Sequence, residues 1–96
     1  MPELSRKPTL IFFTSRRDGR CRRAEGYLAQ VLQRRRNHDT FSLRLIAQEE
    51  RPDLLERFRI EMPPALVVVE NKRVRARLNH PRGAEEIQTF LAPWLK

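Results

Sequence analysis

The residues of this chain that could do chemistry lie close together near its N-terminus. Its only cysteine, Cys21, follows Asp18 by three positions, between a short apolar run and an amphipathic pattern. A thiol in the first turn of a helix is stabilised as a thiolate by the positive end of the helix dipole. A dithiol reaction needs a second sulfur, so Cys21 is either a monothiol nucleophile or a small buried hydrophobe.

Five arginines surround this thiol in the sequence. Positive charge at a helix N-terminus predicts a site for a phosphate, a carboxylate or an acidic protein segment. The alternative interpretation is a solvated face whose charges repel one another. The members of this arginine cluster are Arg16, Arg17, Arg20, Arg22 and Arg23.

His80 is a second candidate for chemistry, and it has two interpretations. It is either a surface loop histidine without a role or part of a Cys21–His80–Asp18 cluster. That cluster would support nucleophilic or acid/base chemistry if the three side chains lie within hydrogen-bond reach. Two histidines and one cysteine at these spacings make no recognisable metal site, and the sequence predicts no cofactor.

The composition indicates one globular domain. The chain has 96 residues, of which 40% are hydrophobic and 33% charged, a balance too apolar for disorder. It has no apolar run long enough for a membrane helix and no secretory h-region, so we expect a cytoplasmic protein that does not bind membranes. A single cysteine fits a reducing compartment.

The net charge has two interpretations as well. A formal net charge of +8 attracts acidic partners, but an arginine-rich composition with simply solvated charges explains it too. Nucleic acid is disfavoured as a partner, because the few aromatic residues have mostly predicted core roles and leave no stacking platform.

Hydrophobic periodicity and turn residues predict seven elements. In chain order they are a strand at Thr9–Thr14 buried on both faces, a helix at 19–36 capped by Asp18, a strand at 41–47, a short helix from Pro52, a strand at 65–69, a strand at 73–78 after an Asn71-Lys72 turn, and a helix from Ala84 that ends near Ala92.

The predicted order is therefore β-α-β-α-β-β-α. Two strands joined through a helix should be parallel, with a right-handed crossover. The final hairpin then adds to the same sheet, which gives a four-stranded mixed sheet flanked by three helices. Residues 1–8 are expected to be a short lead-in, and residues 9–96 the domain.

Three stretches of this chain are similar to the thioredoxin superfamily, and most of all to its minimal glutaredoxin-like core. Residues 10–36 resemble the strand, active-site loop and helix that carry Cys-x-x-Cys, residues 58–74 resemble the approach to the cis-proline and the hairpin, and residues 84–95 resemble the closing helix. The four active-site positions read Asp18-Gly19-Arg20-Cys21.

The resemblance implies a thioredoxin-like fold whose dithiol chemistry has been lost. Asp18 stands where the family has its nucleophilic cysteine, and a carboxylate cannot form a mixed disulfide. Cys21 stands where the family has its resolving cysteine, Pro64 stands where it has the cis-proline, and Pro63 has no N–H for a bound peptide. The implied groove consists of Arg17, Asp18, Gly19, Arg20, Pro63, Pro64 and His80.

We therefore expect a binding or regulatory module without dithiol–disulfide oxidoreductase activity. A protein or peptide partner, acidic or not, would use the groove around Asp18–Cys21, Pro64 and His80. The first alternative is a monothiol redox protein, linked to thiol–disulfide exchange or glutathione, that acts through Cys21. The second is an anion- or nucleic-acid-binding protein that uses the Arg16–Arg23 face.

Overall fold

The computed structural model describes residues 7–33 and 39–95, and its elements follow the predicted order. They are β1 (Thr9–Thr14), α1 (Gly19–Leu32), β2 (Ser42–Ala47), α2 (Pro52–Arg57), β3 (Ala65–Glu70), β4 (Arg73–Asn79) and α3 (Ala84–Leu91). The predicted four-stranded mixed sheet with three helices is confirmed. Each predicted strand boundary lies within one residue of the observed one.

The sheet has the strand order β2-β1-β3-β4. β1 pairs in parallel with β2 and antiparallel with β3, and β3 pairs antiparallel with β4. β1 is central because its four inner residues are apolar and can be buried on both faces of the sheet. Leu10 and Phe12 face one layer and Ile11 and Phe13 the other, and all four are buried.

The two faces of the sheet carry different helices. On one face, α1 and α3 cover Leu10 and Phe12, with apolar residues at helical spacing along α1. On the other face, α2 covers a smaller core in which Phe58 packs against Phe13, with ring centroids 5.5 Å apart. The N-terminus of α1 follows the end of β1, whose four inner residues are buried.

Two turns shape the second half of the chain. Asn71 and Lys72 both have left-handed backbone angles, with φ of 54° and 65°, as a two-residue hairpin turn requires. Before β3, the Pro63–Pro64 peptide bond is cis, and both prolines are buried. Beyond β4, His80 is held beside this proline pair by a hydrogen bond from its N–H to the carbonyl of Pro64 (2.9 Å).

Two features of these elements were not decided by the sequence predictions. α1 ends at Leu32 with Gln33 as its C-cap, whereas the predicted extension to residue 36 lies outside the described residues, as do residues 1–6 of the lead-in. Leu43 and Leu45 lie on the α1 side of the sheet as the alternation indicates, but they are 45% and 54% exposed. The reason is that β2 is an edge strand and α1 packs over its neighbours.

Within the described part of the chain, no helix has the length and apolar character that crossing a membrane requires.

We expect Phe12→Ala to be among the most destabilising single changes in the chain. Phe12 is fully buried in the central strand, and removing a buried aromatic ring costs about 3–5 kcal/mol, a large share of the roughly 5–15 kcal/mol available to a domain. Urea unfolding followed by circular dichroism measures the loss. The exposed Arg57→Ala serves as control and should change stability by no more than about 0.5 kcal/mol; equal losses in the two variants would contradict the prediction.

Candidate functional site

The candidate site is the turn that joins β1 to α1, and Asp18 caps the helix there. Its Oδ1 accepts a hydrogen bond from the N–H of Arg20 (2.8 Å), as predicted for an N-cap. The Arg20 guanidinium also returns to the same carboxylate, with Nη2 3.0 Å from Oδ2. These hydrogen bonds from Arg20 hold the pKa of Asp18 below its ordinary value. Position 18 therefore holds an ionised carboxylate that is already hydrogen-bonded to Arg20.

A loop after β2 supports this turn from outside. Ser15 Oγ donates to Glu49 Oε2 (2.6 Å), and the N–H of Arg16 donates to Glu49 Oε1 (3.2 Å). The guanidinium of Arg16 pairs with Glu50. The bond from Ser15 is the main reason that the pKa of Glu49 is lowered. The turn is therefore held by hydrogen bonds and an ion pair to Glu49 and Glu50 of the same chain.

Cys21 lies in the first turn of α1 and points into the protein. It is fully buried, and its sulfur lies beside Thr14 and Ser15. Burial raises the pKa of the Cys21 thiol and outweighs the opposing effects of the Ser15 and Thr14 hydrogen bonds and the Arg20 charge. The thiol is therefore neutral near pH 7 and has no solvent-accessible surface.

His80 is held in place by the loop that contains the cis-proline. Its backbone is left-handed, with φ of 52°, and its Nε2 lies 3.0 Å from the carbonyl oxygen of Met62. Because a carbonyl only accepts, Nε2 carries the proton in this contact. Asp18 binds Arg20, Cys21 is buried, and His80 binds Met62, so the conditional Cys21–His80–Asp18 cluster is not formed.

A groove runs between the start of α1 and the cis-proline loop. Its volume is about 340 Å³, and its walls are Arg20, Arg23, Tyr27, Pro64, His80, Pro81 and Arg82. Within residues 7–33 and 39–95, no carboxylate forms an ion pair with Arg23 or Arg82. The groove is therefore a positively charged depression beside the N-terminus of α1.

The structure brings only some of the predicted groove residues to the groove wall. Arg20, Pro64 and His80 line it, with Pro64 itself buried, whereas Pro63 is buried and does not line it. Arg17 is exposed, and its N–H bonds Ser15 Oγ (3.3 Å). Gly19 and Asp18 do not line this groove.

The predicted arginine cluster is divided between two sides of α1. Arg20 and Arg23 line the groove, while Arg16 and Arg22 line a separate depression that also contains carboxylates. Arg16 and Arg20 each pair with a carboxylate. The five arginines therefore do not converge on one anion.

Sequence reasoning missed Tyr27, Arg82 and Pro81 as wall residues of the groove. Arg20, Arg23 and Tyr27 follow one another at helical spacings of three and four, which would have placed them on one face of α1. Arg82 lies two residues after His80, in the loop already assigned to the groove. The sequence could not show that the fold brings Arg82 close to α1.

Within the described ranges, no group of three His, Cys, Asp or Glu residues is placed to hold a metal ion.

No protein-family model and no curated protein matches this chain in sequence. Solved structures do match it in fold. A thioredoxin-like protein, Trxlp, from Edwardsiella tarda EIB202 superposes with a TM-score of 0.81 at 17% identity, over 91% of this chain and 84% of that one. Desulfothioredoxin from Desulfovibrio vulgaris Hildenborough gives a TM-score of 0.77 at 21% identity, over 91% of this chain and 81% of that one.

Thioredoxin-2 of the malaria parasite is a third similar structure. Its TM-score is 0.80 at 13% identity, over 91% of this chain and 82% of that one. Identities this low show the fold alone. This chain therefore has a thioredoxin-like fold with a single cysteine.

We expect Cys21 to resist thiol reagents in the folded protein. Full burial and a raised pKa leave little accessible thiolate, so reaction with Ellman's reagent at pH 7–8 should proceed at the rate of transient opening. In denaturant the same thiol should react as fast as a model peptide. Equal rates in native buffer and in denaturant would contradict the buried assignment.

Acid should weaken the fold partly through Asp18. A carboxyl whose pKa is lowered by folding stabilises the protein above its unfolded pKa, and that contribution is lost as pH falls through the folded value. The thermal midpoint should therefore fall as pH drops below about 4, and fall less steeply in Asp18→Asn. Asparagine keeps the cap without the charge, so identical slopes would contradict this role for the Asp18–Arg20 pair.

Proposed function

We propose that this thioredoxin-fold domain is a binding module that has no dithiol chemistry. Its partner is an extended protein segment that lies in the groove beside Asp18, Pro64 and His80. The observation that carries the proposal is the state of Asp18. It is an ionised carboxylate that caps α1 and binds Arg20, at the position where the resemblance implies the attacking sulfur, and a groove lies next to it.

The charges of the groove favour an acidic segment. Arg20, Arg23 and Arg82 all line the groove. Within the described chain the guanidinium groups of Arg23 and Arg82 form no ion pair, and the backbone N–H of Arg82 donates to Glu86 Oε1 (2.7 Å). Carboxylates of a bound segment would form charge-assisted hydrogen bonds with these guanidinium groups. The half-buried Tyr27 ring gives the same segment an apolar contact.

Burial of Cys21 supports this proposal over the monothiol alternative. A monothiol enzyme needs its thiolate at the surface, where a disulfide or glutathione can approach in line. Cys21 is fully buried and lines neither the groove nor the depression beside it. We further propose the cytoplasm as the compartment, since a lone thiol fits a reducing environment.

A peptide-binding experiment tests the proposed groove. A fluorescent peptide with alternating glutamate and apolar residues should bind the wild type, and Arg23→Ala/Arg82→Ala should weaken binding by about tenfold or more. The control is Arg57→Ala/Arg73→Ala, which removes the same net charge at exposed positions away from the groove. Equal weakening in both variants would indicate attraction to net charge alone and would contradict the groove.

A single-stranded oligonucleotide of similar charge is a useful competitor in the same assay. It should displace the peptide poorly, because the described groove offers one tyrosine and no row of aromatic rings. Tighter binding of the oligonucleotide than of the peptide would favour the nucleic-acid alternative.

Restoring a sulfur at position 18 tests why the chemistry is absent. Wild type should give no turnover above background in an insulin disulfide-reduction assay. Asp18→Cys re-creates the Cys-x-x-Cys spacing at the helix N-terminus, which favours a thiolate, and it should give measurable turnover. Asp18→Ser is the matched control. Turnover by wild type or by Asp18→Ser would overturn the proposed loss of dithiol chemistry.

A further inference from the structure

Arg20 belongs to the groove wall and is also held by a carboxylate of its own chain. It lines the groove beside the cis-proline loop. Its Nε lies 3.3 Å from Oδ1 of Asp18, and its Nη2 lies 3.0 Å from Oδ2. This is the bidentate geometry in which a guanidinium binds a carboxylate. Asp18 therefore occupies the edge of Arg20 that a carboxylate of a ligand would use.

The other donors of Arg20 are only partly available. Nη2 also lies 3.4 Å from Sδ of Met62, so the contacts with Asp18 and Met62 take both Nε and Nη2. Within the described part of the chain, no group accepts from Nη1. A ligand carboxylate can therefore reach one nitrogen of Arg20 instead of the two that a bidentate pair needs.

The same carboxylate also acts on Arg23. Nη1 of Arg23 lies 4.0 Å from the point that a Cβ on Gly19 would occupy, which places this guanidinium over the first turn of α1. The hydrogen bonds from Arg20 lower the pKa of Asp18 most, and the charge of Arg23 lowers it further. Asp18 thus binds one arginine of the groove wall and weakens the positive field of a second.

We propose that Asp18 is a built-in competitor for the anionic ligand of the groove. It occupies Arg20 and repels ligand carboxylates near the start of α1, which limits the affinity for an acidic segment. It also selects against segments that crowd their carboxylates at this end of the groove, because specificity is gained by repelling the wrong ligand. This inference rests on the proposed function, since it concerns the affinity of the same groove.

The position of Asp18 makes it a strong competitor. It stands two residues before Arg20, and its Oδ1 is fixed by the hydrogen bond from the N–H of Arg20 (2.8 Å). A group tethered this closely competes at an effective concentration on the order of millimolar or higher. A ligand at micromolar concentration does not displace it, so Arg20 stays paired with Asp18 while the segment is bound.

The chain contains a second pair of the same geometry, which supplies a matched control. Nε of Arg51 lies 3.1 Å from Oδ1 of Asp53, and its Nη2 lies 3.0 Å from Oδ2. The two arginines are about equally exposed, at 55% for Arg20 and 57% for Arg51. The second pair lies at the start of α2 and is not part of the groove wall. Neutralising either aspartate therefore changes the net charge equally and releases one exposed arginine.

Fluorescence anisotropy with the peptide of alternating glutamate and apolar residues tests the proposal. Asp18→Asn keeps an oxygen for the helix cap but replaces one carboxylate oxygen by an amide NH₂, so Arg20 is released and binding should tighten by about fivefold to tenfold. Asp53→Asn should change binding by less than about twofold. The difference should shrink as salt is added, because exposed charges are screened. Equal tightening in both variants, or none in Asp18→Asn, would overturn the proposal.

Two further variants separate competition from other effects. Asp18→Asn/Arg20→Gln has the net charge of the wild type and should bind no more tightly than it; a gain that persists without Arg20 would refute the competitor role. Asp18→Ser, whose hydroxyl also caps a helix, should reproduce the gain with an unchanged circular dichroism spectrum. Damage to the fold would weaken binding, which is the opposite direction.

The same measurements distinguish failure of this inference from failure of the proposed function. A wild type that binds the peptide through Arg23 and Arg82, with no improvement in Asp18→Asn, overturns this inference alone. If neither the wild type nor Asp18→Asn binds the peptide, the proposed function and this inference both fail.

Discussion

The burial of β1 on both faces is the constraint on which the rest of the structure depends. An apolar strand without a polar face must have a strand on each side and a helix layer above and below. β1 accordingly lies between β2 and β3, with α1 and α3 over Phe12 and α2 over Phe13. The turn after Thr14 then has to leave the core, and it places the N-terminus of α1 at the surface beside the loop that contains Pro64.

The polar groups of the site are organised around that turn. Asp18 satisfies the first N–H groups of α1 and takes the Arg20 guanidinium, and Glu49 holds Ser15 and Arg16. A turn held in this way needs no ligand to be ordered. It presents Arg20 to the groove, and its only thiol is buried.

Local sequence patterns predicted the structure correctly where contacts between residues close in sequence determine it. The N-cap at Asp18, the turn at Asn71 and the end of α3 near Ala92 all followed from residue type, because each depends on contacts within one turn. The exposure of Leu43 and Leu45 could not be predicted from residue type and alternation. Alternation shows which side chains share a face of a strand, but only the position of β2 at the sheet edge determines how far α1 covers that face.

The sequence by itself determined the order of elements, the central strand and the absence of a second thiol, because these are properties of residue types and their spacing. The tertiary structure decided which side chains meet. It buried Cys21, bonded Asp18 to Arg20 and His80 to Met62, divided the arginines between two sides of α1 and brought Arg82 to the same groove as Arg23. The physical reason is that burial and long-range pairing depend on how the layers pack, and packing joins residues that are far apart in sequence.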